Sequence, residues 1–370
     1  MRKRALLVTT ALLLSLWLLI AIHTSQATPK TVSPPISDLV SLVDANRYFG
    51  DIETLAEFQT RRTHTTGNHN ARNWLQIQFQ QMGLHVSLDE FTMSQYTCIG
   101  YDSVYNVVAE IPGRVRPDDV YIVGAHFDSI SDNEWYSAPG AEDNASGVAG
   151  VLETARIFVD HPPEATVRFI AFNGEEESRC GSKAYVADLK ASETLSQVQA
   201  ALIMDMISFT SDETLDVMLE TYPWAASVRD VMSESARLYT TLDVAISDDP
   251  WGSDHRSFLD ENVKSVLAIE QEWDEYPGYH STDDTPDQVT PAQGAEVVKM
   301  IVASLAQLAG SCALADLNCD DTINSYDVNL VAGRWNTHSQ GDGYDWRYDP
   351  NHDGKIDIAD VQRVSSAWNP

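Results

Sequence analysis

Basic residues are scarce in this chain: 24 lysines and arginines face 55 aspartates and glutamates, for a formal charge of -31 at pH 7. No local basic patch interrupts that excess. Neither nucleic acid nor an anionic membrane surface attracts a polyanion, so both are excluded as partners, whereas cation binding is favoured. Long apolar runs are missing beyond Ile22, which excludes a later membrane-spanning helix. Cysteine is limited to Cys98, Cys180, Cys312 and Cys319, a set that allows two disulfides in three connectivities. Proximity in sequence favours Cys312 with Cys319, which leaves Cys98 with Cys180. A chain of 370 residues builds a core without staples, however, so free buried thiols are equally compatible.

The apolar stretch from Ala5 to Ile22 follows Arg2, Lys3 and Arg4 and precedes the small residues Ser25-Gln26-Ala27. This order predicts a secretory signal peptide over 1–27. The stretch is also barely long enough for an uncleaved N-terminal anchor. Either way the expectation is a secreted or extracellular protein, free or attached to a cell-surface or scaffold complex. Thr, Ser, Val and Pro dominate Pro29 to Pro35, so 28–47 reads as a linker and lead-in, with folding starting near Ile36. One large domain over 48–310 and an accessory module over 313–370 fit the length.

Short β-branched or apolar runs predict strands over Val104–Ile111, Asp119–Ala125, Thr166–Phe172, Ala201–Ile207 and Val263–Ile269. Helical patterns occupy Asn73–Met82, Ser146–Phe158 and Ala295–Leu308. Strands alternating with helices predict an α/β fold, a mixed, largely parallel sheet flanked by helices. Ligands of such sheets sit outside the carboxyl ends of the strands. His126 follows Tyr-Ile-Val-Gly-Ala, Glu175 follows Phe-Ile-Ala-Phe-Asn-Gly, and Asp205 closes Ala-Leu-Ile-Met, so all three should meet at one edge.

These residues carry metal chemistry. Histidine binds zinc through a neutral ring nitrogen, and in His126-Phe-Asp128 the Asp128 carboxylate is placed to take the other ring proton and fix the tautomer. In Glu175-Glu176-Glu177, consecutive side chains leave a strand end on different sides, so one can bind metal while its neighbour faces the substrate water. Asp205 sits inside an apolar run, where an unpaired carboxylate is costly and a cation is a natural partner. Asp143 opens a small-residue helix, and His280 follows Tyr-Pro-Gly-Tyr. Each position has a plainer alternative: a surface histidine beside an acid, a solvated acidic turn, a salt-bridged aspartate, a helix N-cap, a loop histidine.

The series as a whole resembles the family of dinuclear zinc aminopeptidases that includes secreted bacterial leucine aminopeptidases. The resemblance covers roughly Tyr48 to Leu308 and rests on Gly-Ala-His126-Phe-Asp128-Ser, Gly-Ala-Glu-Asp143-Asn-Ala-Ser-Gly, Phe-Asn-Gly-Glu175-Glu176, Gly-Ser-Lys-Ala-Tyr185, Met-Asp205-Met, Ser-Asp254-His255-Arg-Ser-Phe and Tyr279-His280-Ser-Thr-Asp-Asp. It implies a zinc exopeptidase-like fold and two zinc ions bridged by Asp143, with His126 and Asp205 on one and His280 and Glu176 on the other. Glu175, beside the water rather than on a metal, becomes the general base. Peptides with a free N-terminus are the implied substrates. The family's tyrosine and cysteine upstream of Ser-Asp-His are replaced here by Asp249-Pro250-Trp251-Gly252, so Tyr279 is the substitute candidate for oxyanion stabilisation, with a pocket-wall aromatic as the alternative. The motif set is also similar to that of single-zinc glutaminyl cyclases, an alternative activity. A catalytically silent binding protein is a further one.

After Gly310 the composition changes to ten Asp, no Glu and four Lys or Arg over 313–370. An internal repeat at an offset of 33 residues pairs, among others, Asp316 with Asp349 and Trp335-Asn336 with Trp368-Asn369. Asp316, Asn318, Asp320, Thr322, Asn324 and Asp327 stand at calcium-ligand positions of an EF-hand loop, and Asp349, Asn351, Asp353, Lys355, Asp357 and Asp360 repeat it, position seven ligating through its carbonyl. Two Ca2+ ions and a small all-α module with two EF-hand-like loops are expected. With Asp at the last position and a following helix, the module resembles dockerins, which implies a cohesin-bearing scaffold protein as partner. Calcium as a mere fold staple is the alternative. The sharp turn at position six carries Gly354 in the second loop but Asp321 in the first, where glycine is preferred.

Overall fold

A computed structural model describes residues 33–339 and 341–368. The expected signal segment 1–27 lies outside them. Among the described residues no helix is long and apolar enough to cross a membrane.

Chain order begins with α1 (Ile36–Val40), α2 (Ala45–Ala56) and α3 (Thr66–Gln81), followed by β1 (His85–Met93), β2 (Asp102–Ile111) and β3 (Arg116–His126). Next come α4 (Gly147–Asp160), β4 (Ala165–Phe172), α5 (Cys180–Ala191), β5 (Val198–Met204), β6 (Asp216–Glu220), α6 (Ala226–Tyr239) and β7 (Asp243–Ser247). The large domain closes with α7 (His255–Leu259), β8 (Ser265–Ile269) and α8 (Pro291–Ala309). Eight strands form one sheet in the order β1-β2-β4-β3-β5-β8-β6-β7. The neighbours β4-β3, β3-β5, β5-β8 and β6-β7 are parallel, while β1-β2, β2-β4 and β8-β6 are antiparallel, so the sheet is mixed as expected.

The central strands are buried on both faces, which is why they read as continuous apolar runs. Alternate residues divide between two cores: Tyr121 and Val123 join the one built with α2, α3, α4, α6 and α8, while Val120 and Ile122 join the one under α5 and α7. The edge strands β1 and β7 are largely exposed or half-buried, and neither shows an apolar run in the sequence. Helix α3 starts seven residues before the predicted Asn73, because Thr65 caps it through the Asn68 N–H at 3.2 Å. The Cys312–Cys319 disulfide favoured by proximity and the remaining pair, Cys98–Cys180, are both formed, and no cysteine is free.

The C-terminal module packs α9 (Ser325–Ala332) and α10 (Ile358–Ala367) around Leu317, Val331, Ile356 and Val364. It is not all-α, because β9 (Thr337–His338) and β10 (Lys355–Ile356) pair antiparallel between the helices. The Arg114 guanidinium of the large domain donates to the carbonyls of Ala313, Leu314 and Asp316, and Trp346 packs against the main core.

Candidate metal centre

The carboxyl ends of the adjacent parallel strands β4, β3 and β5 deliver Glu175 and Glu176, His126, and Asp205 to one edge of the sheet. His126 Nε2 lies 3.2 Å from Asp205 Oδ1 and 3.4 Å from Asp143 Oδ1. His280 Nε2 lies 3.1 Å from Asp143 Oδ2 and 3.1 Å from Glu176 Oε2. Asp143 therefore turns one oxygen to each imidazole. In each of the two triads, His126-Asp143-Asp205 and Asp143-Glu176-His280, the ligand atoms lie within 4.8 Å of one another. Imidazole and carboxylate donors at that spacing suit zinc. Glu176 Oε1 is buried without a hydrogen-bond partner among the described residues, a further open donor position.

The electrostatics follow from packing acids and imidazoles in a low-dielectric place. Burial opposes charge on His126, but Asp205, Asp128 and Asp143 outweigh it and hold the imidazole well above its ordinary pKa. Burial likewise opposes His280, yet Asp143 and Glu176 raise it to about 10. Asp143 shows the reciprocal shift: the two histidines overcome burial and hold it well below the usual range. Burial and Asp143 push Glu176 up to about 8, opposed by His280. Glu175 lines the same cleft but belongs to neither triad. Burial, opposed by His126 and reinforced by Asp254, Glu176 and Asp205, pushes it well above the carboxylate range.

Asp128 holds the centre together differently from expectation. The His126 Nδ1 proton goes to the Asp128 main-chain carbonyl at 3.1 Å, while its carboxylate stands 3.6 Å away. That carboxylate instead accepts the backbone N–H groups of Glu175 and Glu176 at 3.2 and 3.1 Å. The reason is that Asp128 lies beyond the strand end, where the chain turns and the side chain faces the β4 loop. Gly174, at φ +72°, makes the tight turn that aims both glutamates. Glu177 points away from the metal ligands, and its Oε1 accepts from Arg62 Nη1 at 2.9 Å and from Thr63 Oγ1 at 2.8 Å.

Asp143 is not the N-cap of α4. Its backbone is non-helical (φ -107°, ψ 90°), and the Asn144 Oδ1 accepts the Gly147 N–H at 2.9 Å instead. Asn144 also donates to the Met204 carbonyl, tying the helix to the end of β5. Sequence reasoning gave Asp284 no role. It accepts the backbone N–H groups of Glu142 and Asp143 at 2.7 and 3.0 Å and the Tyr276 hydroxyl at 2.8 Å, so it orients the shared ligand. Its place at the end of the His280-Ser-Thr-Asp-Asp motif was the available signal. Arg61, fully buried, was missed as well. Its guanidinium donates to the carbonyls of Phe127, Leu55, Pro139 and Gly140 beneath the acidic centre. Burial lowers its pKa to about 10, against the pull of Asp284, Asp128, Asp143 and Glu176, so it stays a cation at neutral pH. A basic pair in so acidic a chain was the sequence clue.

Tyr279 stacks on the His280 ring at 3.9 Å between centroids and lines the cleft, a position compatible with both expected roles. Ser253 lines the cleft too, whereas Asp254 and His255 of the same motif are fully buried.

In the C-terminal module, Asp316, Asp327, Asp349 and Asp360 are buried within their loops. Asp316 accepts the N–H groups of Asp320 and Asp321, and Asp349 accepts that of Gly354 at 2.8 Å. Asp327 accepts from Leu317 and Asn324, and Asp360 from Asp357. Asn324 and Asp357 cap α9 and α10. Asp321 takes φ +64° and Gly354 φ +81°, the left-handed turn expected at position six. Asn318 stays in its loop with Nδ2 donating to Asp320 at 2.7 Å, Thr322 receives the Asn324 amide on its carbonyl, and Asn351 Oδ1 accepts the Asp353 N–H. The Lys355 N–H donates to Asp353 at 2.9 Å. Among the described residues only the two cleft triads bring three acidic or imidazole groups into metal-binding proximity.

The profile of peptidase family M28 matches residues 106–305. A probable zinc metalloprotease of Pyrenophora teres f. teres is 32% identical over 202 residues, which cover 49% of this chain and 43% of that protein. The chain thus spans less than half the length of that curated relative. Among solved structures, the LapA aminopeptidase of Legionella pneumophila superposes with a TM-score of 0.65 at 18% identity, over 74% of each chain. The glutaminyl cyclase of Macrostomum lignano does so with a TM-score of 0.63 at 18% identity, over 75% of this chain and 95% of that one. At those identities the likeness concerns the fold, and the fold is common to both activities.

Proposed function

The chain belongs to peptidase family M28, and we propose that it is a secreted two-zinc aminopeptidase with Glu175 as general base. The observation that carries this reading is Asp143, whose two oxygens face two different histidines, each in its own triad. Asp143 would be shared, His126 and Asp205 would complete one zinc site, and Glu176 and His280 the other. Zinc, when bound, supplies Lewis acidity that brings a water's pKa towards neutrality and polarises a carbonyl.

The protein's own groups do the rest. Glu175, half-buried in the cleft and outside both triads, takes the proton of the attacking water and returns it to the leaving amine. Burial and the neighbouring carboxylates raise its pKa above the ordinary carboxylate range, which favours its holding the proton between the two transfers. Asp128 keeps Glu175 and Glu176 in register through their backbone N–H groups. Tyr279 stands on the His280 side of the cleft, where its hydroxyl would meet the oxyanion. The carboxylates lining the cleft favour a substrate's free α-amino group, hence removal of N-terminal residues.

Export is supported by the predicted signal segment and by two disulfides, which suit an oxidising compartment. Calcium in the C-terminal loops is supported by Asp349 Oδ1, Asp360 Oδ1 and Asn318 Oδ1, each buried without a hydrogen-bond partner. A cohesin-bearing scaffold as partner rests on the loop pattern alone.

The test is zinc content together with hydrolysis of aminoacyl arylamides, with and without chelator. Two zinc ions per chain and chelator-sensitive release of N-terminal residues are expected. Glu175→Gln should keep the zinc and lose about 10²- to 10⁴-fold in kcat. One zinc per chain, with cyclisation of an N-terminal glutamine and no amino-acid release, would replace this reading with the cyclase one. Equal hydrolysis by wild type and Glu175→Gln would point to a silent binding protein with adventitious activity.

A further inference from the structure

The cleft contains five carboxylates, Asp143, Glu175, Glu176, Asp205 and Glu220, and its lining includes no lysine or arginine. Two divalent cations would offset the charge of the first four. Glu220 is left over.

Its position comes from the sheet. Glu220 ends β6 directly opposite Leu267 of the antiparallel β8, and Met218 stands opposite Ile269. Leu267, Ile269 and Met206 line the same cavity of about 260 Å³, so the carboxylate sits at the border of an apolar floor. It is only 7% exposed. The Trp251 backbone N–H donates to Glu220 Oε2 at 3.1 Å. The Trp251 and Trp273 rings, which line the same cleft, stack at 6.2 Å between centroids with an interplanar angle of 20°. An apolar floor and indole faces accept a methylene stem, and indole faces also attract a cation. A buried carboxylate without a cationic partner is costly, and a cation arriving with the substrate relieves that cost.

We propose that the cleft reads the N-terminal side chain of its substrate as a cation, lysine or arginine, with Glu220 as the specificity-determining charge. This rests on the aminopeptidase reading above. The stem of the side chain lies along Leu267, Ile269 and the two tryptophans, and its ammonium or guanidinium pairs with Glu220 while the α-amino group stays at the metal centre. Norleucine has the length of lysine without the charge, so the pair isolates what Glu220 contributes.

The zinc-loaded full chain is assayed with lysyl, arginyl, norleucyl and leucyl arylamides, and binding of lysine amide and norleucine amide is measured by calorimetry in parallel. Wild type should favour lysyl over norleucyl in kcat/KM. Glu220→Gln, whose amide oxygen still accepts the Trp251 N–H, should lower that ratio at least tenfold, mainly through KM, and weaken lysine amide binding by a similar factor. An unchanged ratio overturns the proposal. So does an equal loss on all four substrates, which would assign Glu220 to the α-amino group or to structure. Absence of arylamide hydrolysis with Glu220-dependent lysine amide binding would sink the aminopeptidase reading and leave the cation pocket standing.

Discussion

Asp128 illustrates how one side chain governs several others. Its carbonyl fixes the tautomer of His126 while its carboxylate receives two backbone N–H groups from the glutamate turn. In Asp128→Asn one of the two acceptor oxygens becomes an amide NH2 facing an N–H group, so the turn that aims Glu175 loosens. A fall of about 10- to 100-fold in kcat or in zinc affinity is expected, with secondary structure unchanged by circular dichroism. The histidines set the pH dependence of metal loading. Because His126 is held well above its ordinary value, His280 is raised to about 10 and Glu176 to about 8, protons on these ligands oppose zinc in the metal-free protein at neutral pH. Zinc must displace those protons, so apparent affinity rises with pH, about tenfold per pH unit for each proton displaced. Calorimetric titration in buffers of different ionisation heat would measure the protons released. An affinity independent of pH between about 6 and 8 would contradict the assignment of both ligands.

Among the elements, the central strands and the long helices α4 and α8 were legible because burial on both sides leaves an apolar run or a broad apolar face. Strands β1, β6 and β7 were not, since edge or short strands take their conformation from a neighbour's hydrogen bonds more than from their own pattern. Helix α5 was equally hidden. Helix α8 also depends on a contact no periodicity announces: a Cβ on Gly294 would lie 2.2 Å from the Tyr48 Oη of α2. The Tyr48 ring is fully buried and has nowhere to retreat. Gly294→Ala should therefore cost about 1–3 kcal/mol of stability through overpacking, read as a lower urea midpoint with an unchanged slope.

For the whole molecule, the C-terminal module is joined to the large domain by more than its linker. The half-buried Arg114 side chain donates to three carbonyls, that of Asp316 at the first position of the first acidic loop among them. Trp346 packs on the main core, and Ser33 donates to Asp321 at the turn of that loop. Order in the loop and docking on the large domain are thus linked. Chelation of calcium should lower the melting temperature of the full chain by about 5 °C or more, if calcium stands near a hundred times its dissociation constant. Arg114→Ala should split the melting transition in two, the module unfolding first in scanning calorimetry. A single transition insensitive to chelator would remove calcium from the account.

The chain by itself determined the donor types, their order and the repeat of the acidic loops. Those are local properties: a strand end needs its apolar run, and an acidic loop its spaced oxygens, within a dozen residues. It also determined the acidic charge that makes cations the natural partners. Tertiary structure alone decided that Asp143 faces two histidines, one of them 137 residues further along the chain, that Glu177 pairs with Arg62, and that Asp284 and Arg61 brace the centre. Only the pairing of β6 with β8 brought Glu220 into the cleft. Which oxygen meets which nitrogen depends on side chains converging from distant segments, and packing settles that convergence.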